Sequence, residues 1–534
     1  MKHIYYNGSV YTGSLPLVQA FAEEDGRFVF AGSNEEAAAL ASCNDVFVDL
    51  GGRFVCAGFN DSHMHLLNFG TSLVSAKLGE HTDSLAGMIE YLKAFLKERQ
   101  WPEGSWLTGR GWNQDYFTDV HRMPSRYDLD QVSTEVPILI TRACGHCLVL
   151  NSKALEITGL TLDTPIPEGG NIGRENGELD GRLFDNAMGF AYSKVPVPGK
   201  EEVKERIINA CRALNSYGVT SSQTDDFGVT RGNWQVVCEA YKELEAEGKL
   251  TVRVYEQSNF TTPEALQGYL DAGCITGRGS DLFKVGPLKM LGDGALGART
   301  AFLSIPYADD PSTKGLPVFT QEQLNVMIDL AVKNGMQAAV HAIGDACLDY
   351  VLNAYEAAFE KYHPIDHRCG IVHCQISRPD QLQRIADLKL HVYAQSIFLD
   401  YDINIVEARV GEKLASSSYS WKTLMNKGVT VSNGTDCPVE LPDALKGIQC
   451  AVTRCSTRGA GPYLESEAFT VQEALDSYTS AGAYSSFDEK VKGKIQPGML
   501  ADFVILAEDP FKAPADHIKD IKVCETYFGG KKVF

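Results

Sequence analysis

The middle of the chain alternates short apolar runs with segments whose apolar positions recur every three or four residues. The short runs read as buried strands and the longer segments as amphipathic helices. Helical patterns include QEQLNVMIDLAVKNG, which ends on Gly335, and RPDQLQRIADLKL, where Pro379 takes the place of a first-turn proline. The strand-like segments are FVCAGFND (54–61), GVTSSQT (218–224), TVRVYEQ (251–257), LFKVGPLKML (282–291), MQAAVHAI (336–343), CGIVHCQ (369–375), LHVYAQSI (390–397) and VTVSNGTD (429–436). Eight such β/α units predict an α/β fold built on a TIM (β/α)8 barrel.

The two ends of the chain read as short strands joined by tight turns. In IYYNGSVYT, Asn7 and Gly8 predict a β-hairpin with a type I′ turn. In KVCETYFGGKKVF, Gly529 and Gly530 stand between two β-rich runs, and GMLADFVIL ahead of them predicts another strand. We expect both chain ends to pair into one small β-sandwich-like domain, because pairing leaves fewer open strand edges.

The first and second predicted barrel strands are separated by far more chain than one helix requires. We therefore predict a long insertion after barrel strand 1, at about residues 67–200, which contains WLTGRGWNQDYF and VPILITRACGHCLVLNSKAL. A segment that follows a barrel strand emerges at the carboxyl end of the barrel, where active sites form. The predicted domains are residues 1–57 and 488–534 for the small β domain, and 58–487 for the barrel with its insertion.

The composition is that of an ordinary globular protein with an acidic surface. The 534 residues are 44% hydrophobic and 22% charged, with a formal net charge of -20. This charge would repel phosphate backbones and anionic lipids, so we expect neither nucleic acid nor a membrane as a partner. The first residues, MKHIYYNGSVYTG, lack the apolar core of a secretory signal. We expect a cytoplasmic protein that acts on a small-molecule substrate, with a homodimer as a reasonable assembly.

The cysteines fit a reduced protein better than a disulfide framework. Fourteen of them are scattered along a long chain without an export signal. Cys144 and Cys147 form a C-x-x-C sequence after a strand-like run, so a thiol–disulfide site is an alternative use of this segment. A C-x-x-C match alone is weak evidence, and the surrounding sequence does not build a separate redox domain.

Potential metal ligands stand at the ends of four predicted strands. His63 and His65 in FNDSHMHL point the same way on a strand, so both imidazoles can reach one point. His341 in AAVHAIGD, His373 in GIVHCQ and Asp436 in SNGTDCPVE lie at or near the ends of strands five, six and eight. Each residue alone is most simply a hydrogen-bonded polar group, but five at one end of a barrel indicate a shared divalent metal. Imidazole and carboxylate suit Zn²⁺, and also Fe²⁺ or Mn²⁺.

Two further residues lie near the end of the fourth predicted strand. Lys289 is unexpected there, because an ammonium group and a divalent metal repel each other. It is either a surface or ion-paired lysine, or a lysine carboxylated by CO₂, which would bridge two metal ions. The following GDGALG (292–297) matches a dinucleotide-binding pattern, but the next residues contain prolines and lack helical periodicity. These glycines are better explained by a loop close to the metal, with Asp293 contacting metal-bound water or substrate.

The sequence resembles the amidohydrolase superfamily, and within it the YtcJ-like branch that includes N-substituted formamide deformylases. The matching motifs cover nearly the whole chain: GFNDSHMHL, LKMLGDGALGARTA, VHAIGDAC, IVHCQ, NGTDCPVE and IQPGMLADFVIL. The resemblance implies one or two divalent metal ions, held by His63, His65, His341, His373 and Asp436, with Lys289 as the carboxylated bridge if there are two. The insertion motifs GRGWNQDYF and GHCLVLNSKAL also resemble the branch, which implies that Trp112 and His146 face the substrate.

The expected reaction is hydrolysis of a C–N bond other than a peptide bond, as in an amide or formamide. A divalent metal makes hydroxide available at neutral pH, and Asp436 would act as the general base that moves the proton to the leaving nitrogen. A second metal or His146 would polarise the carbonyl oxygen. Three alternatives stay open: a lactonase or phosphoesterase with the same site, a metal-dependent isomerase, and a barrel that binds without catalysis.

Overall fold

The computed structural model describes residues 1–98, 101, 104–167 and 169–534. The chain divides into two compact units. One comprises Met1–Phe69 together with Val203–Phe534, and the other comprises Gly70–Glu202. The domain boundaries expected from the sequence, including the insertion at about 67–200, stay predictions.

The larger unit is built around an eight-stranded, wholly parallel sheet in which neighbours in space are neighbours in sequence. This arrangement confirms the predicted (β/α)8 barrel. In chain order the barrel strands are Phe59–Met64, Val219–Thr224, Arg253–Asn259, Phe283–Leu291, Ala338–Ala342, Gly370–His373, His391–Ala394 and Val431–Asn433.

The eighth barrel strand returns to the first. The main-chain amide of Thr435 donates to Asp61 Oδ1 over 3.0 Å, and the amide of Asp436 donates to the carbonyl oxygen of His63 over 2.8 Å. A side chain at Gly434 would place its Cβ 2.5 Å from the backbone nitrogen of His63, so glycine permits this close approach. These contacts nearly close the barrel and bring the two strand ends to one place.

Helices cover the outside of this barrel. Gln321–Lys333 follows the fourth strand and buries Leu324, Met327, Ile328 and Ala331, which recur at the spacing of one helix face. Pro379–Asp387 follows the sixth strand with proline in its first turn, and both helices confirm the sequence prediction. The remaining α-helices of this unit are Asn34–Ala39, Trp234–Ala246, Pro263–Asp271, Asp345–Tyr362, Leu399–Asp402, Val406–Ala415, Trp421–Asn426, Ala444–Thr453, Val471–Ser477 and Ser480–Ser485. Leu66–Val74 and Lys200–Ser216 cross the unit boundaries.

Both chain ends form the expected small β-sandwich. One sheet has the strand order Arg27–Gly32, Ala20–Glu24, His3–Tyr6 and Val46–Asp49. The other has the order Ser9–Val10, Phe54–Ala57, Phe503–Leu506, Val523–Phe528 and Lys531–Lys532. Tyr5 and Phe21 of the first sheet pack against Phe503 of the second, with ring centroids 5.2 and 5.0 Å apart. Aromatic packing therefore joins the two sheets through one core.

The run FVCAGFND is not one barrel strand, as the sequence predicted, but two strands in different sheets. Phe54–Ala57 pairs with Phe503–Leu506 of the sandwich, and Phe59–Met64 belongs to the barrel. The break falls at Gly58, where a Cβ would lie 2.2 Å from Oγ1 of Thr220. The chain passes so close to the second barrel strand that only glycine fits. The pattern of apolar residues in the sequence does not predict this contact.

The predicted N-terminal hairpin is also wrong. His3–Tyr6 pairs in one sheet of the sandwich and Ser9–Val10 in the other, so the chain crosses between sheets at Asn7-Gly8. The C-terminal Gly529-Gly530 does form a hairpin, with both residues at positive φ between the paired strands Val523–Phe528 and Lys531–Lys532. The N-terminal strands pair with strands further along the sequence instead of with each other, and a local turn signal does not reveal this pairing.

The unit Gly70–Glu202 has its own six-stranded sheet. Its strand order is Gly170–Glu175, Glu178–Asp185, Cys147–Leu150, Ile138–Arg142, Leu107–Trp112 and Ala76–Lys77. Its α-helices include Leu85–Lys97, Arg126–Asp130, Ser152–Thr158 and Met188–Tyr192. Two apolar clusters, one containing Leu92 and Trp112 and the other Leu150 and Leu183, form its core.

Two sequence expectations concern the chain as a whole. All fourteen cysteines lie within the described residues, and each is a free thiol. Cys144 is exposed and Cys147 is buried. Across the described ranges, every helix falls short of the length and apolar character needed to cross a membrane.

Candidate metal centre

Three of the predicted ligands form a buried cluster at the carboxyl end of the barrel strands. One ligand-type atom from each of His63, His373 and Asp436 lies within 4.8 Å of the other two. His63 belongs to the first strand, His373 is the last residue of the sixth, and Asp436 follows the eighth. The barrel therefore brings together three side chains that are far apart in the sequence, as the strand-end pattern predicted.

His65 and His341 extend this cluster. Nε2 of His65 lies 3.1 Å from Oδ1 of Asp436, and Nε2 of His63 lies 3.4 Å from the same oxygen. The ring of His341 is 4.4 Å from that of His373 between centroids, in an edge-to-face arrangement. We call these five side chains the rim cluster.

Two members of the rim cluster have a backbone conformation that side-chain-bearing residues seldom adopt. The φ angles are 75° at His373 and 56° at Asp436. Left-handed backbone costs about 1–2 kcal/mol in a residue with a side chain. Such strain is retained where the surrounding structure imposes it, and it concentrates at functional sites. His373 is the last residue of its strand, Asp436 lies in the turn that follows its strand, and both side chains belong to the rim cluster.

Each histidine of the rim cluster has its second ring nitrogen held by an oxygen. Nδ1 of His63 lies 2.7 Å from Oε1 of Gln257, and Nδ1 of His373 lies 2.6 Å from Oε1 of Gln395. Main-chain carbonyls hold the other two rings, at 3.2 Å from Nδ1 of His65 and at 3.2 Å from Nε2 of His341. Histidines that bind metals show this arrangement, with one nitrogen fixed and the other directed at the ion.

The charges of the rim cluster depend on burial and on Asp436. Burial lowers the pKa of His63 to about 4 and that of His373 well below its ordinary value. Burial also opposes charge on His65, but the nearby carboxylate of Asp436 outweighs it and raises the pKa of His65 to about 9. Burial raises the pKa of Asp436, yet its contact with the charged His65 holds that pKa well below the usual range. The carboxylate is therefore ionised at neutral pH.

Lys289 lies in the barrel interior near these groups and is fully buried. Its Nζ has no hydrogen-bond partner among the residues that the structure describes. Burial lowers the pKa of Lys289, while the negative charges of Asp225 and Asp436 oppose that change. An amine in this position is more easily uncharged than a surface lysine. The environment of Lys289 therefore differs from that of a surface or ion-paired lysine, which the sequence had left open.

The donor set fits a divalent metal ion. It combines several imidazoles with an ionised carboxylate, which are ligands of Zn²⁺, Fe²⁺ and Mn²⁺. Oδ1 of Asp436 lies against two imidazole nitrogens without making a hydrogen bond to any described group. A buried carboxylate oxygen of this kind costs free energy unless a cation or a donor satisfies it.

Asp293 is fully engaged with the backbone. Its carboxylate accepts hydrogen bonds from the main-chain amides of Phe302, Ile343 and Gly344 at 2.8, 3.0 and 2.8 Å, and Oδ1 also lies 3.2 Å from Nε2 of His341. These bonds fix the loop after the fourth strand to the end of the fifth. The predicted contact of Asp293 with water or substrate stays a prediction.

The GDGALG segment continues as turns and loop, without the helix that a dinucleotide site requires.

The two predicted substrate residues of the insertion belong to the unit Gly70–Glu202. Trp112 ends the strand Leu107–Trp112 and is fully buried in that unit's apolar core. His146 is exposed, and its Nδ1 lies 2.9 Å from Oδ1 of Asp185. Their roles toward a substrate stay predictions.

Sequence reasoning missed Gln257 and Gln395. Both stand in the same local pattern, Tyr-x-Gln-Ser, at the ends of the third and seventh barrel strands. This repetition at equivalent strand ends was the available signal. Its meaning depends on contacts with His63 and His373, which only the folded barrel supplies.

Comparisons with known proteins agree with this architecture. The sequence model of the amidohydrolase family matches residues 46–534. The chain is 34% identical to the protein YtcJ of Bacillus subtilis, over all of this chain and 99% of that protein. It is 26% identical to an N-substituted formamide deformylase of Arthrobacter pascens, covering 96% of this chain and 94% of the relative.

A solved structure is similar along almost the whole chain. The crystal structure of a metal-dependent hydrolase from Pyrococcus horikoshii has a TM-score of 0.80 and 30% identity, covering 97% of this chain and 99% of the other. The family match extends over most of the sequence, and the similarity to YtcJ confirms the resemblance inferred from the motifs. The chain belongs to the amidohydrolase family.

Proposed function

We propose that this protein is a metal-dependent hydrolase that cleaves a non-peptide C–N bond of the amide or N-substituted formamide class. The observation that carries the proposal is the rim cluster, in which the ionised Asp436 contacts His63 and His65 beside His373. Membership in the amidohydrolase family supports hydrolysis. The similarity to an N-substituted formamide deformylase supports the bond class.

The residues proposed to hold the metal are His63, His65, His341, His373 and Asp436. Zinc is the metal we propose, with iron or manganese as alternatives. A bound divalent ion would supply a nucleophilic hydroxide at neutral pH and would polarise the substrate carbonyl. If two ions bind, the carboxylated Lys289 is proposed as their bridge, which its burial and lack of a described partner support.

Asp436 is the proposed general base. Its backbone is fixed by the hydrogen bond to His63, and its carboxylate is ionised, so one oxygen can accept a proton from water. The same carboxyl group then gives that proton to the leaving nitrogen. His146 is the proposed donor to the carbonyl oxygen, and Trp112, His146 and Asp293 are the proposed substrate contacts. The other proposals are a small-molecule substrate, a cytoplasmic location and a homodimer.

A substrate panel tests the proposed reaction. The purified protein, supplied with zinc, is assayed against N-substituted formamides, simple amides, lactones and phosphotriesters, with Asp436→Asn as the inactive control. We expect turnover of a formamide or amide with incorporation of ¹⁸O from labelled water into the acid product. Turnover confined to lactones or phosphotriesters, or product formed without ¹⁸O, would contradict the proposed bond class.

A further inference from the structure

Two glutamines make equivalent contacts with two histidines of the rim cluster. Gln257, on the third barrel strand, and Gln395, just after the seventh, are both fully buried. The amide oxygen of Gln257 lies 2.7 Å from Nδ1 of His63, and that of Gln395 lies 2.6 Å from Nδ1 of His373. Neither glutamine belongs to the rim cluster itself.

A second contact fixes the orientation of each amide. Nε2 of Gln257 donates to the carbonyl oxygen of Ser62 over 3.1 Å, and Nε2 of Gln395 donates to the carbonyl oxygen of Tyr393 over 3.0 Å. A main-chain carbonyl only accepts hydrogen bonds, so the NH₂ end of each amide must face it. The oxygen end must then face the histidine. The hydrogen of each imidazole is therefore required on Nδ1.

We propose that Gln257 and Gln395 are positioning residues that hold His63 and His373 as Nδ1–H tautomers with Nε2 free to bind a cation. The proposal rests on the proposed metal centre and adds two residues that determine its affinity. With the hydrogen on Nδ1, Nε2 of His63 carries a lone pair. This nitrogen lies 3.4 Å from Oδ1 of the Asp436 carboxylate. Two acceptors at this distance repel each other unless a positive charge is shared between them.

The other two histidines of the rim cluster are held by main-chain oxygens rather than by glutamines. The carbonyl oxygens of Asp225 and Gly294 contact one ring nitrogen of His65 and of His341, respectively, and so orient these rings. The rings of His63 and His373, at the first and sixth barrel strands, are instead held by glutamine side chains at the third and seventh strands. Replacing either glutamine therefore removes the acceptor of one of these two rings without changing the main chain. Nε2 of His341 has, besides the carbonyl of Gly294, Oδ1 of Asp293 at 3.2 Å.

The test measures the zinc affinity of metal-free protein by competition with a chromophoric chelator. Gln257→Met and Gln395→Met keep approximate side-chain length but remove the acceptor. We expect each to weaken zinc binding by about 10- to 100-fold, the usual effect of removing the hydrogen-bond partner of a metal-binding histidine. Gln257→Glu should restore an affinity close to that of wild type, because a carboxyl group protonated on one oxygen can make both contacts of the amide.

Gln223→Met is the matched control. Gln223 is also buried on a barrel strand and donates to the carbonyl oxygen of Gly482, without a hydrogen bond to any of the four histidines. Its loss should reduce stability but leave the zinc affinity of the folded protein unchanged. A reduction as large as that of Gln257→Met would assign the effect to general loosening of the barrel and overturn the proposal.

A second measurement does not depend on metal or activity. In metal-free protein with ¹⁵N-labelled histidine, long-range ¹H–¹⁵N spectra should show the hydrogen of His63 and His373 on Nδ1, and the Met variants should lose this preference. Hydrogen on Nε2 in the wild type, or unchanged zinc affinity in both Met variants, would overturn the inference. Zinc binding that follows these expectations without turnover of any substrate would instead contradict only the proposed function.

Discussion

The main-chain amide of Asp436 donates a hydrogen bond to the carbonyl oxygen of His63 over 2.8 Å, which joins the end of the last barrel strand to the first. The same pair is in contact through its side chains, with Nε2 of His63 3.4 Å from Oδ1 of Asp436. Closure of the barrel therefore brings His63 and Asp436 of the rim cluster together.

Replacing Asp436 with Asn should separate catalysis from folding. The backbone hydrogen bond to His63 is kept, so we expect a folded protein that retains much of its metal. The amide cannot act as a base, and activity should fall by about 10²- to 10⁴-fold. Steady-state kinetics with metal analysis of the same preparation checks this. Near-native turnover of the variant would exclude Asp436 as the base.

Metal removal should lower stability measurably. A ligand that binds only the folded state, present at 100 times its Kd, stabilises it by about 2.7 kcal/mol. We expect the thermal midpoint to fall when a chelator strips the protein and to recover when zinc is returned. The His63→Ala variant serves as a control, because its midpoint should respond much less to zinc. Equal responses of the two proteins would place the stabilising metal elsewhere.

A buried ion pair connects the barrel to the β-sandwich. Arg253 of the third barrel strand donates from Nε and Nη2 to both oxygens of Asp502, at 2.5 and 2.9 Å, and both side chains are less than a tenth exposed. Arg253→Met should destabilise the protein by about 3–5 kcal/mol, because it leaves the carboxylate charge buried and unpaired. Urea unfolding measures the free energy of unfolding of the wild type, of the Arg253→Met variant and of the double variant that also carries Asp502→Leu. The double variant should recover much of the loss, and no recovery would show that the cost is not electrostatic.

Asp402 should make stability depend on pH. Burial raises its pKa to about 6, although hydrogen bonds from Tyr419 and Gln375 oppose the shift. Because the folded pKa lies above the ordinary value of 3.8, the neutral acid is the form that the fold favours. Its stabilising contribution is complete below about pH 4 and is lost as the pH rises through about 6.

The expected loss at Asp402 is about 3 kcal/mol, from a shift of roughly two pKa units at 1.36 kcal/mol each. The measurement compares unfolding free energies of the wild type and Asp402→Asn between pH 4 and pH 7. The wild type should become less stable relative to the variant across this range. A constant difference would show that Asp402 titrates at its ordinary pKa.

The sequence predicted the barrel and the rim cluster because both depend on local signals. Apolar runs alternate with amphipathic helices, and parallel strands must present their carboxyl ends on one face, so His341, His373 and Asp436 had to converge. Contacts between distant segments were not predictable in this way. The chain changes sheets at Gly58 because it passes against Thr220. The role of Gln257 depends on a contact with His63, 194 residues away in sequence.

Anomalous diffraction from crystals grown with zinc shows whether the rim cluster binds a divalent metal ion. We expect an anomalous peak at the zinc edge within coordination distance of His63, His65 and Asp436. A second peak beside Lys289 would indicate two ions. Density that shows the rim cluster free of metal, with its side chains hydrogen-bonded to one another at full zinc supply, would exclude a metal centre at this end of the barrel.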